Sequence, residues 1–235
     1  MKLNVRESGE GDKIAVLIHG FNCDSGDWWE LTPELLRRGY HVKAVDLRGH
    51  GHSPRATSYT LPEYAADVVE TIGESPELII GHSLGAQVTA LTVPELLPSK
   101  AIYFDPPWSL PEEGAPNLFP DLSAIPSMTD EELAATLRHD FPAWSEKAIE
   151  VDVASWRLWD PATAATITDV RLSGMPERAL VPSLAIAAEK DTVFAAKDHA
   201  TAQERGFVVR LAPGLTHSLF RDDFDLVLSL ISDWL

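Results

Sequence analysis

Residues 78–86 constrain the fold more than any other part of the chain. An apolar Leu-Ile-Ile run at 78–80 reads as a buried strand, Gly-His-Ser-Leu-Gly follows at 81–85, and residues 84–97 show helical periodicity. A G-x-S-x-G motif in this strand-to-helix context predicts a sharp, strained turn that presents Ser83 at the rim of a sheet. The positions two before and two after the serine must be small, because strand and helix approach closely there. The start of the helix also directs N–H groups and its positive dipole end toward the serine.

Short apolar runs alternate with helical patterns along the rest of the chain, which is typical of βαβ units. We therefore predict an α/β fold with a mostly parallel central sheet flanked by helices. The predicted strands are 3–6 at an edge, then 14–18, 41–47, 78–80, 101–104, 183–187 and 207–211. The predicted helices of the sheet layer are 28–38, 61–72, 84–97 and 223–235.

The pattern changes between residues 106 and 182. A Pro-rich stretch at 106–126 is followed by helix-like segments at 129–139, 143–159 and 162–172, before strand signals resume. We predict a single domain over residues 1–235, with a helical cap inserted at about 106–182. The cap is expected to cover the carboxyl edge of the sheet, where open α/β sheets bind ligands.

Composition excludes several classes of function. The chain has 235 residues, of which 45% are hydrophobic, enough for one sizeable core. No apolar run approaches the roughly 20 residues that span a bilayer, and the polar first residues lack the apolar stretch of a signal peptide. The net charge of −17 repels nucleic-acid backbones. With one cysteine the chain fits a reducing compartment, so we expect a cytoplasmic protein. We further expect a monomer or homodimer that takes a small-molecule substrate and binds neither nucleic acid nor membrane.

Four segments in this order resemble the α/β-hydrolase superfamily. They are His-Gly-Phe at 19–21, Asp-Leu-Arg-Gly-His-Gly-His-Ser at 46–53, the Gly-His-Ser-Leu-Gly turn at 81–85 and Pro-Gly-Leu-Thr-His at 213–217. The resemblance spans most of the chain but not the cap. It implies an α/β-hydrolase fold and a Ser-acid-His catalytic triad.

The resemblance implies Ser83 as the nucleophile and His217 as the base that activates it. The expected acid is Asp191, in a turn after strand 183–187 that resembles the family's G-x-x-D turn, with Ala188 where glycine is usual. Asp105, at the end of the preceding strand, is the alternative acid, and Glu189 is a third choice.

An oxyanion hole needs two backbone N–H donors. The resemblance assigns these to Leu84, which follows the nucleophile, and Phe21, which follows His19-Gly20. Asn22 is the next candidate if that loop is longer.

Three other groups of residues have less specific interpretations. His50 and His52 have metal-ligand spacing but no third ligand nearby in sequence, so we expect neither a metal nor an organic cofactor. Cys23 is expected to be a buried spectator thiol. The tryptophans of the cap either pack its core or form an aromatic substrate wall, and these are Trp108, Trp144, Trp156 and Trp159.

The function that these features predict is that of a carboxylesterase-like serine hydrolase, which cleaves a small or medium, mostly apolar ester or lactone through an acyl-enzyme. Fold and triad leave other bonds open, namely thioester, amide and C–C cleavage, perhydrolysis and lyase chemistry. A non-catalytic ligand-binding pseudoenzyme is the alternative of another class, and a broken triad or blocked oxyanion loop would mark it.

Overall fold

A seven-stranded sheet organises the chain. The computed structural model describes residues 1–108, 125–166 and 174–235. The strand order is β1-β3-β2-β4-β5-β6-β7, with β1 antiparallel to β3 and every other neighbouring pair parallel. The predicted α/β class with a mostly parallel sheet is therefore confirmed. The strands are β1 (Val5–Ser8), β2 (Lys13–Ile18), β3 (Tyr40–Val45), β4 (Leu78–His82), β5 (Lys100–Phe104), β6 (Ser183–Ala188) and β7 (Phe207–Ala212).

Helices connect the strands and cover the sheet. They are α1 (Leu31–Arg37), α2 (Leu61–Ile72), α3 (Leu84–Leu96), α4 (Asp130–Asp140), α5 (Glu146–Leu158), α6 (His199–Glu204), α7 (Leu219–Asp222) and α8 (Phe224–Ile231). The start of α2 shows why a helix begins there: Thr60 and Glu63 form a capping box that satisfies exposed N–H groups. Gly73 ends α2 in the left-handed conformation, with φ of 66°.

The sheet is buried on both faces. Along β2, Val16 and Ile18 belong to the core that contains α2 and α3, whereas Ala15 and Leu17 belong to the core that contains α1 and α8. All four side chains are fully buried. A parallel sheet covered on both sides needs such continuous apolar strands, which is why they are recognisable in the sequence.

Predicted and observed elements differ mainly at their ends. Strand β4 extends to His82, two residues beyond the apolar run. The helix predicted at 28–38 divides into a 3₁₀ turn (Ser25–Trp28) and α1, and the one at 223–235 divides into α8 and a 3₁₀ turn (Ser232–Trp234). Helix α6 has only six residues and was not predicted, because its single buried residue, Ala202, gives no periodic signal.

The predicted cap is described in part. Helices α4 and α5 match the first two predicted cap helices, and the third begins as a 3₁₀ helix (Pro161–Ala165). Residues 109–124 and 167–173, including most of that third helix, lie outside the described residues. The cap boundaries at 106 and 182 and the single-domain organisation stay predictions.

The described end of the cap is fixed to the loop after β3. The Tyr59 hydroxyl donates to Asp160 over 2.7 Å, and the Asp160 N–H donates to the Gly49 carbonyl over 2.8 Å. The Thr166 hydroxyl donates to the Tyr59 carbonyl over 2.6 Å. These bonds place α5 beside the carboxyl edge of the sheet.

Within the described ranges, none of the helices combines the length and the hydrophobicity that crossing a bilayer requires.

The turn between β4 and α3 brings three backbone segments into contact. A Cβ at Gly85 would lie 2.1 Å from the Ile18 carbonyl oxygen, and one at Gly81 would lie 2.3 Å from the Gly85 oxygen. Neither obstacle is a side chain that could move aside. The two glycines of the motif are therefore required by the approach of α3 to β2 and β4.

We expect Gly85→Ala to destabilise the protein far more than Gly39→Ala. Gly39 has φ of 82° but open space around its Cβ position, so alanine there adds only backbone strain of about 1–2 kcal/mol. That lowers the melting temperature by roughly 2–8 °C in a domain of this size. At Gly85 the clash with backbone should cost several times more, seen as a much lower melting temperature or insoluble protein. Equal melting temperatures would show that α3 can shift away from β2.

Candidate active site

Ser83 lies at the junction of β4 and α3 in a strained conformation, with φ of 52° and ψ of −118°. A positive φ is costly for a residue with a side chain, by roughly 1–3 kcal/mol, and persists only where its surroundings impose it. The Ser83 N–H donates to the Phe104 carbonyl at the end of β5 over 3.0 Å. This bond joins the turn to the neighbouring strand and leaves the hydroxyl at the carboxyl edge of the sheet.

His217 contacts this hydroxyl from the loop after β7. The distance from Ser83 Oγ to His217 Nε2 is 2.9 Å. The loop is fixed by Asp222, whose Oδ2 accepts from both the N–H and the hydroxyl of Thr216 over 2.7 Å. The predicted pairing of Ser83 with His217 is therefore present in the geometry.

The structure corrects the expectation for the acid. His217 Nδ1 lies 2.6 Å from Asp105 Oδ2, and Asp105 is fully buried. Asp191 is exposed and makes no hydrogen bond among the described residues. Glu189, also exposed, accepts from the Gly214 N–H over 2.7 Å and does not contact the histidine. The alternative acid, Asp105, is the one that orients His217.

The order of the strands explains this difference. Strand β5 lies directly beside β4, whereas β6 is one strand further from the serine. Asp105 follows β5 immediately and has φ of 36°, so its carboxylate turns toward the serine side of the edge. The backbone N–H of Ala188, the last residue of β6, donates to Asp105 Oδ1 over 3.1 Å, so this strand end supports the acid without supplying it.

Asp105 accepts four hydrogen bonds. Besides His217 and Ala188, the Thr192 hydroxyl donates to Oδ1 over 2.6 Å and the Val193 N–H donates to Oδ2 over 3.1 Å. Burial by itself raises the pKa of this carboxyl. The hydrogen bond to His217, the charge of His217, and the bonds from Thr192 and Val193 have the opposite effect, and together they lower the pKa below its ordinary value. The carboxylate therefore stays ionised, so His217 carries a proton on Nδ1 and Nε2 can accept one from Ser83.

A second histidine, which sequence reasoning missed, supports His217. Buried His82 lies next to Ser83, and its Nε2 donates to the His217 carbonyl over 2.9 Å. The two rings pack with centroids 5.0 Å apart. Burial and the nearby charge of His217 lower the pKa of His82 to about 4, so it is neutral at ordinary pH. Its adjacency to Ser83 in the motif was the available signal.

The loop after β2 is held by His19. Its Nε2 accepts from the Leu47 N–H over 2.9 Å, which places its proton on Nδ1, and Nδ1 donates to the Gly20 carbonyl over 2.7 Å. In a trans peptide the N–H points opposite to the carbonyl, so the Phe21 N–H is directed away from His19. A Cβ at Gly20 would lie 3.4 Å from the Ser83 Cβ, which shows how near the loop is to the serine.

A cleft of about 50 Å³ opens beside Ser83 and His217. The cap contributes Phe141, Trp144 and Trp156 to its wall. Phe141 and Trp144 stack face to face, with centroids 4.1 Å apart. The prediction of an aromatic wall from the cap therefore has structural support at Trp144 and Trp156.

The other two cap tryptophans are not among the described residues that line the cleft. Trp159 packs edge-on against Phe21, in the loop after β2, with ring centroids 5.5 Å apart. Trp108 packs in the core between Phe194 and Phe207, at 5.2 and 4.9 Å. Sequence alone could not separate these packing positions from the lining ones.

One wall of the cleft carries a buried ionic network that sequence reasoning also missed. The Arg221 Nη2 donates to Asp27 and to Asp152, each over 2.6 Å, and the guanidinium lies 4.9 Å from the centre of the Trp144 ring. Cys23 lies 3.6 Å from Arg221, and burial raises the pKa of this thiol well above its usual value. A neutral buried thiol fits the predicted spectator role.

His50 and His52 do not converge on a common point. Buried His50 donates from Nδ1 to the Arg48 carbonyl over 3.0 Å, and the His52 backbone N–H donates to Asp46 over 2.9 Å. Asp46 also accepts from the Ser25 N–H, so these bonds join the loop after β3 to the loop after β2. In the part of the chain that the structure describes, no group of three or more His, Cys, Asp or Glu residues is arranged to hold a metal.

Comparison with known proteins shows the family of the chain. The family model described as "Alpha/beta hydrolase family" matches residues 15–230. The chain belongs to the α/β-hydrolase family. Among solved structures, an esterase from a marine microorganism superposes with a TM-score of 0.77 at 20% identity, covering 100% of this chain and 99% of that one. At this identity the likeness concerns the fold.

Two of the curated relatives are hydrolases with different substrates. A pimeloyl-[acyl-carrier protein] methyl ester esterase from Methylococcus capsulatus is 35% identical over 121 residues, which are 50% of this chain and 46% of that protein. Epoxide hydrolase A from Mycobacterium tuberculosis is 36% identical over 95 residues, 37% of this chain and 30% of that protein. The matches span at most about half the length of these relatives.

The buried neutral histidines predict how stability depends on pH. Burial, with a smaller effect of His19, lowers the pKa of His50 to about 3, and that of His82 is about 4. The unfolded chain binds protons near pH 6.5 and the folded chain does not, so stability is present above pH 6.5 and is lost as pH falls toward 4. Each histidine should remove about 1.5 kcal/mol of unfolding free energy between pH 6.5 and 5.

Urea unfolding at pH 6.5 and pH 5 checks this. His50→Asn should make the loss of unfolding free energy smaller than in wild type by about 1.5 kcal/mol. His139→Asn is the matched control, because the His139 side chain is 88% exposed, and it should leave the loss unchanged. The explanation is wrong if His50→Asn and His139→Asn give the same pH dependence.

Proposed function

We propose that this chain is a serine hydrolase that cleaves a carboxylic ester or lactone with a small or medium, mostly apolar acyl group through an acyl-enzyme. The observation that carries the proposal is the hydrogen-bonded chain from Ser83 Oγ to His217 and from His217 to Asp105, with distances of 2.9 and 2.6 Å. A serine hydroxyl becomes an effective nucleophile when a base accepts its proton and an acid fixes the base.

In the first half of the reaction, Ser83 Oγ attacks the substrate carbonyl while its proton moves to His217 Nε2. Asp105 stabilises the resulting imidazolium through Nδ1. The N–H groups of Phe21 and Leu84 are the proposed donors to the oxyanion. The Phe21 N–H is oriented by the His19 bond to Gly20, and the Leu84 N–H lies in the first turn of α3, at its positive dipole end.

In the second half, His217 returns its proton to the leaving alcohol as the carbonyl re-forms. Water then enters, His217 accepts a proton from it, and attack on the acyl carbon releases the acid and restores the Ser83 hydroxyl. All the groups that these steps need are provided by the chain, so the mechanism requires no metal or organic cofactor.

The wall of the cleft supports the choice of acyl group. Phe141, Trp144 and Trp156 present aromatic surface, and the space beside Ser83 is about 50 Å³. Aromatic surface gains from contact with methylenes and offers few hydrogen bonds. A short, apolar acyl chain suits such a space better than a long or strongly hydrated one.

The match to epoxide hydrolases suggests a second reaction, but the nucleophile argues against it. A serine that opened an epoxide would form an ether, which water does not hydrolyse, so the enzyme would stop after one turnover. Attack of Ser83 on a carbonyl forms an ester, which water can hydrolyse with help from His217. A non-catalytic role is disfavoured by the complete hydrogen-bonded chain.

Active-site labelling tests the proposal directly. A fluorophosphonate should label wild-type protein at Ser83, identified by mass spectrometry of the labelled peptide. Ser83→Ala should abolish labelling and reduce ester turnover by on the order of 10⁴–10⁶. A folded Ser83→Ala protein that keeps turnover within tenfold of wild type, purified free of other esterases, would falsify the mechanism.

Asp105→Asn and Asp191→Asn should differ sharply. The amide at position 105 would favour the wrong tautomer of His217 and reduce kcat/KM by about 10⁴. Asp191 is exposed and does not contact the histidine, so Asp191→Asn should leave kcat/KM within about threefold of wild type. The measurement is hydrolysis of p-nitrophenyl acetate by both variants, with their folding compared by circular dichroism. The reverse ranking would mean that the loop after β6 supplies the acid during turnover.

The cap tryptophans should divide into two groups. Trp144→Ala and Trp156→Ala enlarge the cleft and should shift the best p-nitrophenyl acyl chain toward greater length, since each methylene that fits is worth about 0.8 kcal/mol. Trp108→Ala opens the core near Phe194 instead and should lower stability by about 3–5 kcal/mol without moving the optimum. A panel of acyl chains from acetyl to octanoyl measures the shift. An unchanged optimum in both lining variants would show that these residues only pack the cap.

A further inference from the structure

The ionic network beside the nucleophile carries an unbalanced charge. Two carboxylates, Asp27 and Asp152, contact one guanidinium, Arg221. Both oxygens of Asp152 accept hydrogen bonds, one from Arg221 and the other from the Trp156 indole over 3.0 Å. Burial raises the pKa of Asp152, and the charge of Arg221 and the bond from Trp156 oppose that rise. With both carboxylates ionised, as the inference requires at the pH 8 of its test, the three groups together carry one net negative charge.

This charge lies inside the protein, where solvent screens it little. The side chains of Asp27, Asp152 and Arg221 are 4%, 6% and 8% exposed. Asp152 and Arg221 line the same cleft as Ser83 and His217. A charge buried in the wall of a cleft acts on a bound substrate more strongly than the same charge on the surface.

Arg221 is poorly available to an incoming anion. Its Nη2 already donates to both carboxylates, and its guanidinium lies against the face of Trp144. A substrate carboxylate that approached it would meet Asp27 and Asp152 at the same place. The arginine compensates one of the two acids and leaves the other uncompensated.

We propose that the Asp27–Arg221–Asp152 network determines the charge of the substrate, so that the enzyme accepts uncharged acyl groups and rejects those that end in a carboxylate. This inference rests on the proposed esterase function and narrows it. It separates this chain from any hydrolase that selects dicarboxylate half-esters, although both could share the fold and the triad. Rejection of a competing substrate by a like charge is a common way to obtain specificity.

Two esters of matched length test the inference. Methyl valerate and monomethyl glutarate have the same number of chain carbons, and the second ends in a carboxylate at pH 8. Wild-type kcat/KM should favour methyl valerate by at least tenfold. Asp152→Asn and Asp27→Asn each remove the net negative charge and should narrow the preference for methyl valerate roughly tenfold. This is the effect expected of one partly screened charge in the wall of the cleft.

The opposite substitution gives the opposite sign. Arg221→Gln raises the net charge of the network to two negatives and should widen the preference for methyl valerate. A change of packing alone would not move the two kinds of variant in opposite directions. Arg221→Gln leaves two buried acids without their partner and can prevent folding; the two Asp variants then decide the result by themselves.

Glu150→Gln is the matched control. Glu150 lies on α5 two residues before Asp152, but its side chain is 71% exposed and pairs with Lys147 on the surface. This variant removes one negative charge from the same helix, and its substrate preference should equal that of wild type. If the Asp152 and Asp27 variants behave like Glu150→Gln, or wild type hydrolyses both esters equally well, the inference is wrong.

Fluorophosphonate labelling separates failure of the inference from failure of the proposed function. Absence of both labelling at Ser83 and turnover of either ester overturns the function, and the inference with it. If Ser83 is labelled but neither methyl ester is hydrolysed, each ester can be tested for protection of Ser83 against labelling. The ratio of the two protections then measures the preference between the esters. Equal protection by the two esters then overturns the inference alone.

Discussion

The close approach of backbone around Ser83 is the constraint on which the rest of the site depends. Gly85 touches the end of β2, Gly81 touches Gly85, and the Ser83 N–H bonds to the end of β5. Three parallel strands thus meet at one strained residue, and the loops that leave β2 and β5 necessarily start beside it. The site is compact because these loops begin so close to Ser83.

The supports of the site are shared between strands and are not local to each residue. Asp105 leaves β5 but is held by Ala188 at the end of β6 and by Thr192 and Val193 in the loop that follows. His217 leaves β7 but is held by His82, at the end of β4. Such support from neighbouring strands limits the movement of each group. The positions of Ser83, Asp105 and His217 therefore depend on the sheet as a whole.

Much of the fold was predictable because the sheet is buried on both faces. Continuous apolar runs such as residues 14–18 can form little else between turn signals, and all seven strands were predicted with small errors at their ends. Polar His82 at the end of β4 shows the limit: it pairs with Phe104 of β5, and its side chain contacts His217, which lies 135 residues away. Helix α6, with one buried residue, gave no pattern to read.

The site was predictable where its chemistry is local in sequence. Ser83 and its glycines form one motif, and His217 follows a strand and a Pro-Gly turn. Identifying the acid requires knowing which strand lies beside β4. The sequence alone does not reveal the order of the strands in the sheet. Arg221 and Asp152 are 69 residues apart, and neither stands in a motif, so their pairing became visible only in three dimensions.

The position of the acid before the cap has a consequence for biosynthesis. The proposed nucleophile, acid and oxyanion donors all lie within residues 21–105, whereas the proposed base is His217. Synthesis proceeds from the N-terminus, so Ser83 is made well before the base that would activate it. Until the strand β7 has been synthesised and packed beside β6, Ser83 is an ordinary hydroxyl. In the proposed mechanism the growing chain therefore presents no activated serine before β7 is in place.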